Sequence, residues 1–266
     1  MCIRDREKLE AALSFKIDFN CDMGESFGMY KMGFDEEVIK YISSANIACG
    51  FHAGDPMWMR RTVGLAESHG VAVGAHPSYP DLNGFGRRNL SADPEEVRND
   101  VVYQASALLG FTDSKTIQHV KPHGAMYNQA VDDKELGQAI CSAVMEVQED
   151  AILLALSGSQ WVETAKGLGM RVGREIFADR AVNDDGTLVS RRLNGSVIHD
   201  IEEVVDRSLR MVTEGKVISA NGNLVEVEAE SICLHGDTPG AVDMAKSLRA
   251  AFEREGIKII PLARLV

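Results

Sequence analysis

The chain has 266 residues, 45% of them hydrophobic and 26% charged, a composition typical of a globular protein with one large core. Its formal net charge of −12 argues against nucleic acid or an anionic membrane as the main partner, because both require a positive surface. An anionic small substrate stays compatible with this charge, since a few local cations can bind it.

Five cysteines occur along the chain: Cys2, Cys21, Cys49, Cys141 and Cys233. Their number is odd and they form no C-x-x-C pair, so the sequence suggests neither a disulfide framework nor a zinc ribbon. We expect reduced thiols in a cytoplasmic protein. No apolar run approaches the roughly 20 residues that a transmembrane helix needs.

The first residues, MCIRDREKLEAALSFK, carry charges but no continuous apolar segment, and they do not resemble a secretory signal. They also look unrelated to the sequence that follows. We therefore expect residues 1–15 to be an extension and residues 16–266 to form a single domain.

The first half of the chain alternates short apolar segments with longer amphipathic ones. Predicted strands cover residues 15–20, 45–50, 71–76 and 116–124. Predicted helices cover residues 35–44, 55–70 and 91–110. The helix at 55–70 has the clearest ends, because Asp55 can cap it, Pro56 suits its first position and Gly70 stops it.

The alternation continues in the second half of the chain. Predicted helices cover residues 133–147, 160–169, 200–215 and 241–256, and predicted strands cover 151–159, 170–180, 231–240 and 257–262. Residues 183–196 are irregular, and residues 215–236 contain an extra hairpin joined to a strand. This pattern indicates parallel strands with right-handed crossovers. It favours an α/β fold built as a single, irregular (β/α) barrel of about seven parallel strands over an open sheet.

Polar residues gather where the predicted strands end. In chain order they are Asn20, Asp22, Glu25, His52, Asp55, His76, Lys121, His123, Ser157, Ser159, Glu175, Asp179, Arg180, His235 and Asp237. Functional groups of parallel α/β proteins collect at the carboxyl ends of the strands. We therefore expect these side chains to meet at one rim of the barrel.

Four histidines stand apart from the rest, because each follows an apolar run and lies next to Gly or Pro: His52, His76, His123 and His235. Glycine lets the backbone turn sharply and lets a ligand approach closely. These four are interpreted as functional, whereas His69, His119 and His199 are interpreted as structural.

Several charged residues are candidates for binding an anion. Lys121, held stiffly by Pro122, can bind a substrate carboxylate or a developing oxyanion. Arg87 and Arg88, in the glycine-rich GFGRRNL, suit bidentate binding of carboxylate or phosphate. Asp179 and Arg180 could instead form an ion pair that shapes their loop.

The sequence leaves two further questions open. Asp237 could cap a helix or orient His235. Asp22, His52 and His76 could together hold one divalent metal ion. No G-x-S-x-G, H-E-x-x-H, P-loop or Rossmann motif occurs, so ATP binding through a P-loop is not indicated.

Six sequence blocks resemble one known family: DFNCDMGESFG, SANIACGFHAGDP, GAHPSYPDLNGFGRR, VKPHGAMYN, EIFADR and LHGDTPGAV. They occur in the order and with the residues of the LamB/YcsF family of 5-oxoprolinase A subunits. The resemblance runs from about Lys16 to the C-terminus, and these blocks are long and specific.

The resemblance implies a distorted (β/α) barrel similar to polysaccharide deacetylases and some glycoside hydrolases. It implies a hydrolase of a cyclic amide C–N bond, which opens 5-oxoproline (pyroglutamate) to glutamate with hydrolysis of ATP as co-substrate, together with B and C subunits as partners. The motif residues that carry over are Asp22, His52, Asp55, His76, Lys121, His123, Asp179, Arg180, His235 and Asp237.

Roles for these residues follow as expectations. The expected catalytic residues are Asp22, His52, His76, Lys121, His123, Asp179 and His235, with Asp22 or His76 as the base for water and His123 or His235 as the acid for the nitrogen. The expected substrate-binding residues are Asn20, Glu25, Asp55, Arg87, Arg88, Arg180 and Asp237. Two alternatives stay open: a metal-dependent deacetylase or amidohydrolase that acts alone, and a non-catalytic substrate-binding subunit.

Overall fold

The computed structural model describes residues 15–236 and 240–266, so Asp237 lies outside the described residues. The strands are β1 Lys16–Met23, β2 Ser44–Ala48, β3 Ala72–His76, β4 His119–Val120, β5 Ile152–Leu156, β6 Val172–Phe177, β7 Lys216–Ile218, β8 Leu224–Glu226, β9 Ser231–His235 and β10 Lys258–Ile259. The helices are α1 Asp35–Val38, α2 Pro56–Ser68, α3 Pro94–Phe111, α4 Gly124–Ala130, α5 Lys134–Val147, α6 Gln160–Gly167, α7 Ile201–Glu214 and α8 Ala241–Arg254. No helix within these two ranges is long and apolar enough to cross a bilayer.

Seven parallel strands close into a barrel in the order β1-β2-β3-β4-β5-β6-β9, and β9 pairs again with β1. The register sets Asn20 of β1 beside Ser44 of β2 and Cys233 of β9. The prediction of a parallel barrel with about seven strands is therefore confirmed. β7 and β8 form the expected antiparallel hairpin, and β10 pairs only with the start of β1.

The helices begin where the sequence provides capping side chains. Asp55 accepts hydrogen bonds from the backbone N–H groups of Met57 and Trp58 at the start of α2, with Pro56 in the first position. Asp93 and Asp133 cap α3 and α5 in the same way. The apolar faces of the helices are buried against the outside of the barrel. This layer between helices and strands is the apolar core of the protein.

Two predicted elements have different limits in the structure. The helix expected at 35–44 ends at Val38. It cannot continue to Ser43, because Ser43 is bound to β1: its N–H donates to the Phe19 carbonyl and its hydroxyl donates to Asp18. β1 is longer than expected and includes Asp22. Asn20 and Asp22 therefore lie inside the strand and not after it.

The barrel interior is polar along β1. Asp18, Asn20 and Asp22 alternate with apolar residues, so they share one face of the strand, and their hydrogen bonds reach β2, β6 and β9 across the interior. The other face packs on the helices, where Phe19 contacts Phe252 of α8 with ring centroids 6.5 Å apart.

Gly74 of β3 makes room for a buried imidazole in this interior. A Cβ on Gly74 would lie 2.1 Å from His119 Nε2, and that nitrogen is already fixed 2.6 Å from Asn46 Oδ1. Gly74→Ala is expected to lower the free energy of unfolding by about 3 kcal/mol through overpacking, measured by urea denaturation.

Gly64 provides the matched control for this substitution. It lies exposed inside α2, and nothing is found within 4 Å of a Cβ built there. Gly64→Ala is expected to raise the free energy of unfolding by up to about 1 kcal/mol. Equal effects of the two substitutions would contradict the tight packing at Gly74.

Candidate active site

Most of the predicted site residues meet at the carboxyl ends of the barrel strands. They are Asn20, Asp22, Glu25, His52, His76, Lys121, His123, Asp179 and His235, and all nine are buried. His76 and His235 are the last residues of β3 and β9, and Lys121 directly follows β4. The parallel arrangement thus joins groups that lie far apart in the chain.

Lys121 is the positive centre of this site. Its Nζ lies 2.9 Å from Asp22 Oδ1, 3.2 Å from Glu175 Oε1 and 3.0 Å from Cys233 Sγ. The three protons of the ammonium therefore have acceptors on three different strands, β1, β6 and β9. Asn20 links the same groups, since its Nδ2 donates to Glu175 Oε1.

The charges of this group follow from their mutual contacts. Burial alone would raise the pKa of the Asp22 carboxyl, but His76, Lys121 and His235 hold that pKa well below its usual value. Burial opposes the charge of Lys121 as well, yet the pKa of its ammonium is raised well above the usual value by Asp22, Cys233 and Glu175. Asp22 is therefore a carboxylate and Lys121 an ammonium ion.

Three histidines and Glu25 form a compact group beside Asp22. His76 Nε2 lies 3.3 Å from Asp22 Oδ2 and 2.9 Å from His123 Nδ1. His52 Nε2 lies 3.2 Å from Glu25 Oε1, and the His52 ring stacks on His123 with centroids 3.8 Å apart. Burial lowers the pKa of His52 and of His123 well below the usual value, so both rings are neutral.

Two groups of side chains in the described part of the chain have a spacing that suits a metal ion. One consists of Glu25, His52, His76 and His123, and the other of Asp22, Cys233 and His235; within each group the ligand atoms lie within 4.8 Å of one another. The set expected from the sequence, Asp22 with His52 and His76, is divided between these two groups.

His235 and Asp179 form an acid–base pair on the other side of Asp22. His235 Nδ1 lies 2.9 Å from Asp179 Oδ2, while its Nε2 lies 4.0 Å from Asp22 Oδ2. Burial alone would raise the pKa of the Asp179 carboxyl, but His235, Arg191 and Arg180 hold it below the usual value. A buried carboxylate of this kind fixes the imidazole so that Nε2 is left for proton transfer.

A cavity of about 870 Å³ opens above these residues. Its floor includes Asp22, His76, Lys121, His123 and His235, and five arginines line its walls: Arg87, Arg88, Arg180, Arg191 and Arg192. This positive lining contrasts with the net charge of −12 and is the arrangement that binds a small anion.

The substrate-binding arginines expected from the sequence differ in their surroundings. Arg180 is buried; its Nε donates to the Ser196 carbonyl at 3.1 Å and its Nη2 to the Val189 carbonyl at 2.6 Å. Burial lowers the pKa of Arg180 to about 10. Arg88 donates from Nε to Asp81 at 2.9 Å, and Arg87 lies over the Phe85 ring.

Two other expected binding residues remain, Asp55 and Asp237. Asp55 caps α2 and also accepts from the Gly28 N–H at 2.7 Å, and it does not line the cavity. Its structural role is thus clear, while its binding role stays a prediction. Asp237 lies outside the described residues.

The site residues expected from the sequence do not include a layer of buried polar residues that lies beneath the site. Asp18 accepts hydrogen bonds from the hydroxyls of Ser43 and Ser44 at Oδ1 and of Ser231 at Oδ2. Above it, Asn46 donates to Asp22 Oδ1 at 2.8 Å. The alternation of Asp18, Asn20 and Asp22 within KIDFNCDM is the sequence signal that could have identified this layer.

The fold and the site define a class of protein: a (β/α) barrel that carries a buried acid–base site, at the carboxyl ends of its strands, beneath a cation-lined cavity. The distant structural neighbour T48 deacetylase supports the fold, with a TM-score of 0.51 at 12% identity over 96% of this chain and 92% of that one. The chain belongs to the LamB/YcsF family, whose sequence profile matches residues 17–266.

Relatives and a solved structure agree with this assignment. The chain is 53% identical to the A subunit of 5-oxoprolinase from Thermococcus sibiricus, over 94% of this chain and 99% of the relative. It is 51% identical to the protein of the same name from Campylobacter jejuni subsp. jejuni, over 95% and 100%. The crystal structure of the lactam utilization protein from Thermus thermophilus matches with a TM-score of 0.87 and 45% identity, over 92% of this chain and 99% of that one.

Asp18 is expected to make stability depend on pH. Burial raises its pKa from 3.8 to about 6, so between about pH 4 and pH 6 the folded state binds a proton that the unfolded state has lost. The stabilisation is complete below about pH 4 and is lost as pH rises through 6, by on the order of 3 kcal/mol. Asp18→Asn, which cannot ionise, should remove this decline in urea unfolding measured across that range.

The control for this measurement is Asp113→Asn, at an exposed aspartate beyond α3. Asp113→Asn should keep the same fall in unfolding free energy between about pH 4 and pH 6 as the wild type. The same fall in Asp18→Asn would contradict the raised pKa of Asp18.

Proposed function

We propose that this chain is the A subunit of an ATP-dependent 5-oxoprolinase and that it opens the lactam of 5-oxo-L-proline to give L-glutamate. The names of its relatives, which designate the A subunit of 5-oxoprolinase, support the reaction, as does the name of the lactam utilization protein. The observation that carries the proposal is the Asp22 carboxylate, which lies between Lys121, His76 and His235 on the floor of a cation-lined cavity.

The cavity fits the substrate by charge. The carboxylate of 5-oxoproline is its only anionic group, and a guanidinium binds such a group through paired N–H donors. Arg180 is the best-positioned candidate, because it is buried in the cavity wall, and its hydrogen bonds within the described part of the chain go to carbonyl oxygens and not to a carboxylate.

Activation of water is assigned to Asp22, with His76 beside it. Oδ1 of Asp22 is held by Lys121 and Asn46, whereas Oδ2 faces His76 and His235. Oδ2 can therefore take a proton from a water molecule in the cavity while Lys121 keeps the carboxylate in place. The attack forms a bond from the water oxygen to the lactam carbonyl carbon.

Protonation of the leaving nitrogen is assigned to His235 in preference to His123. Asp179 binds Nδ1 of His235, so Nε2 can pass a proton to the ring nitrogen as the C–N bond breaks. His123 Nε2 lies 2.9 Å from the Phe85 carbonyl, so its proton is already donated to that oxygen.

Coupling to ATP explains how a poor electrophile is opened. An unstrained lactam resists water, and ATP would supply a phosphoryl group for the lactam oxygen. B and C subunits would be the source of the ATP site, in line with the designation of the relatives as A subunits. The cavity arginines would then hold the added phosphoryl charge, and the phosphate would leave when a second water cleaves the acyl phosphate.

The cellular location belongs to the same proposal. A cytoplasmic enzyme with reduced thiols is supported by the four described cysteines, Cys21, Cys49, Cys141 and Cys233, all of which are buried and unpaired.

Asp22→Asn tests the assigned base. An amide keeps the shape of the carboxylate, and its oxygen can still accept from Lys121 and Asn46, but it cannot take a proton from water. In an assay of glutamate release from 5-oxoproline with ATP and the B and C subunits, kcat should fall at least about 1,000-fold. The thermal unfolding midpoint serves to show that the variant is folded.

His69→Ala is the control, because this histidine is exposed at the end of α2. It should release glutamate at the wild-type rate. Near-normal turnover of Asp22→Asn would refute the assigned base, and activity without ATP or partners would favour the metal-dependent amidohydrolase that acts alone. Tight 5-oxoproline binding with full activity in Asp22→Asn and in an Asp179→Asn variant would favour a non-catalytic binding subunit.

Arg180→Gln tests how the anion is bound. The loss of the cation should raise KM for 5-oxoproline at least about 10-fold and lower kcat much less, because the contact is made equally to substrate and transition state. The same change in Arg171, which lies exposed away from the cavity, should leave KM unchanged. An unchanged KM in Arg180→Gln would exclude Arg180 as the anion-binding group.

A further inference from the structure

Two histidine rings in the site are fixed so that one nitrogen of each is directed at the same point. His76 Nδ1 lies 2.6 Å from the carbonyl oxygen of Lys121, and His123 Nε2 lies 2.9 Å from that of Phe85. A carbonyl oxygen only accepts hydrogen bonds, so each of these two nitrogens carries a proton. The other nitrogens, His76 Nε2 and His123 Nδ1, are therefore the ring atoms that are left to bind an ion.

These two nitrogens face each other at 2.9 Å. At this distance the two nitrogens share a proton in the metal-free protein, and a metal ion can take the place of that proton. Carboxylates surround the same point, because Glu25 Oε1 lies 3.6 Å from His123 Nδ1 and Asp22 Oδ2 lies 3.3 Å from His76 Nε2. Ligands about 2.0–2.2 Å from a tetrahedral zinc ion are themselves about 3.3–3.6 Å apart. The distance between Glu25 and His123 matches this spacing, and the two histidine nitrogens would move apart by about 0.5 Å to bind the ion.

His52 supports this arrangement from behind. Its Nδ1 is buried and has no hydrogen-bond partner among the described residues, so its proton belongs on Nε2, where it can donate to Glu25 Oε1 at 3.2 Å. Its ring also stacks on His123. His52 is thus a positioning residue for Glu25 and His123, as the outer partners of metal ligands usually are.

The backbone leaves space for this packing at Gly86. A Cβ on Gly86 would lie 2.8 Å from His52 Cβ and 2.9 Å from His123 Cδ2, and its φ of +64° also favours glycine. The histidine group is therefore closely packed, and two of its rings are held by backbone carbonyl groups. Such fixed side chains are expected of a preorganised binding site.

We propose that Glu25, His76 and His123 bind one divalent transition-metal ion, with Asp22 at its edge and His52 holding Glu25. Two imidazoles and one carboxylate are a donor set that zinc and similar ions prefer over magnesium. His76 and His123 also line the cavity, so a free coordination position would face the substrate. The site rests on side-chain geometry and does not depend on the reaction proposed above.

The test is direct metal binding by the purified full chain after dialysis against a chelator. Isothermal titration with ZnCl₂ should show one saturable site per chain, and MgCl₂ at the same concentration should show none. Co²⁺ in place of zinc should give the visible absorption of a low-coordinate nitrogen and oxygen site. These measurements need neither 5-oxoproline, ATP nor partner subunits, so they separate this site from the proposed activity.

Variants locate the ion. His76→Gln and Glu25→Gln should each weaken zinc binding at least about 100-fold, and His52→Phe, which keeps a ring but cannot donate, about 10-fold. His235→Gln removes a member of the neighbouring group of Asp22, Cys233 and His235 and should leave zinc affinity unchanged. Thermal unfolding of each metal-free variant shows which are folded, and Glu25→Gln is the variant that best preserves shape.

Several results would overturn the proposal. They are no saturable zinc binding by the wild type, unchanged affinity in folded Glu25→Gln, or loss of binding in His235→Gln. A strongly downfield proton shared by His76 and His123 in the NMR spectrum, unaffected by zinc, would show that a proton alone occupies this position.

Discussion

The contact on which the rest of the structure depends is the buried Lys121 ammonium between two carboxylates. Asp22 comes from β1 and Glu175 from β6, so the ion pairs cross the barrel interior. A charge removed from water costs several kcal/mol unless partners surround it, and here each charge compensates the others. Closure of the barrel therefore also assembles the site, because it brings Asp22 of β1 and Glu175 of β6 to the Lys121 ammonium.

This interior differs from the apolar layers that fill many barrels. Neutral polar groups fill the space around the charges: Asn20 bridges Glu175 and Ser231, and Asn46 bridges His119 and Asp22. The apolar core lies instead between the strands and the surrounding helices. The apolar contacts that stabilise the fold thus lie outside the barrel, and the polar side chains of the site lie inside it.

Local patterns were enough to predict the barrel and the histidines of the site. The alternation of strands and helices defined the parallel fold, and glycine or proline beside each strand-end histidine marked His52, His76, His123 and His235. The alternation of Asp18, Asn20 and Asp22 is visible in the sequence, but an acid near a strand end also resembles a turn residue, and so it left the end of β1 undefined. Arg191 and Arg192 were missed, since a loop reaches the cavity only through tertiary packing.

The sequence also could not divide the histidines by role, because the proton positions depend on carbonyl groups far along the chain. His123 gives its Nε2 proton to Phe85, 38 residues away, and His235 receives a carboxylate at Nδ1 from Asp179, 56 residues away. The first contact leaves Nδ1 of His123 facing Glu25, and the second leaves Nε2 of His235 near the cavity. Asp22 Oδ2 lies between His76 and His235, and so this one carboxylate oxygen joins the histidine–glutamate group to the acid–base pair.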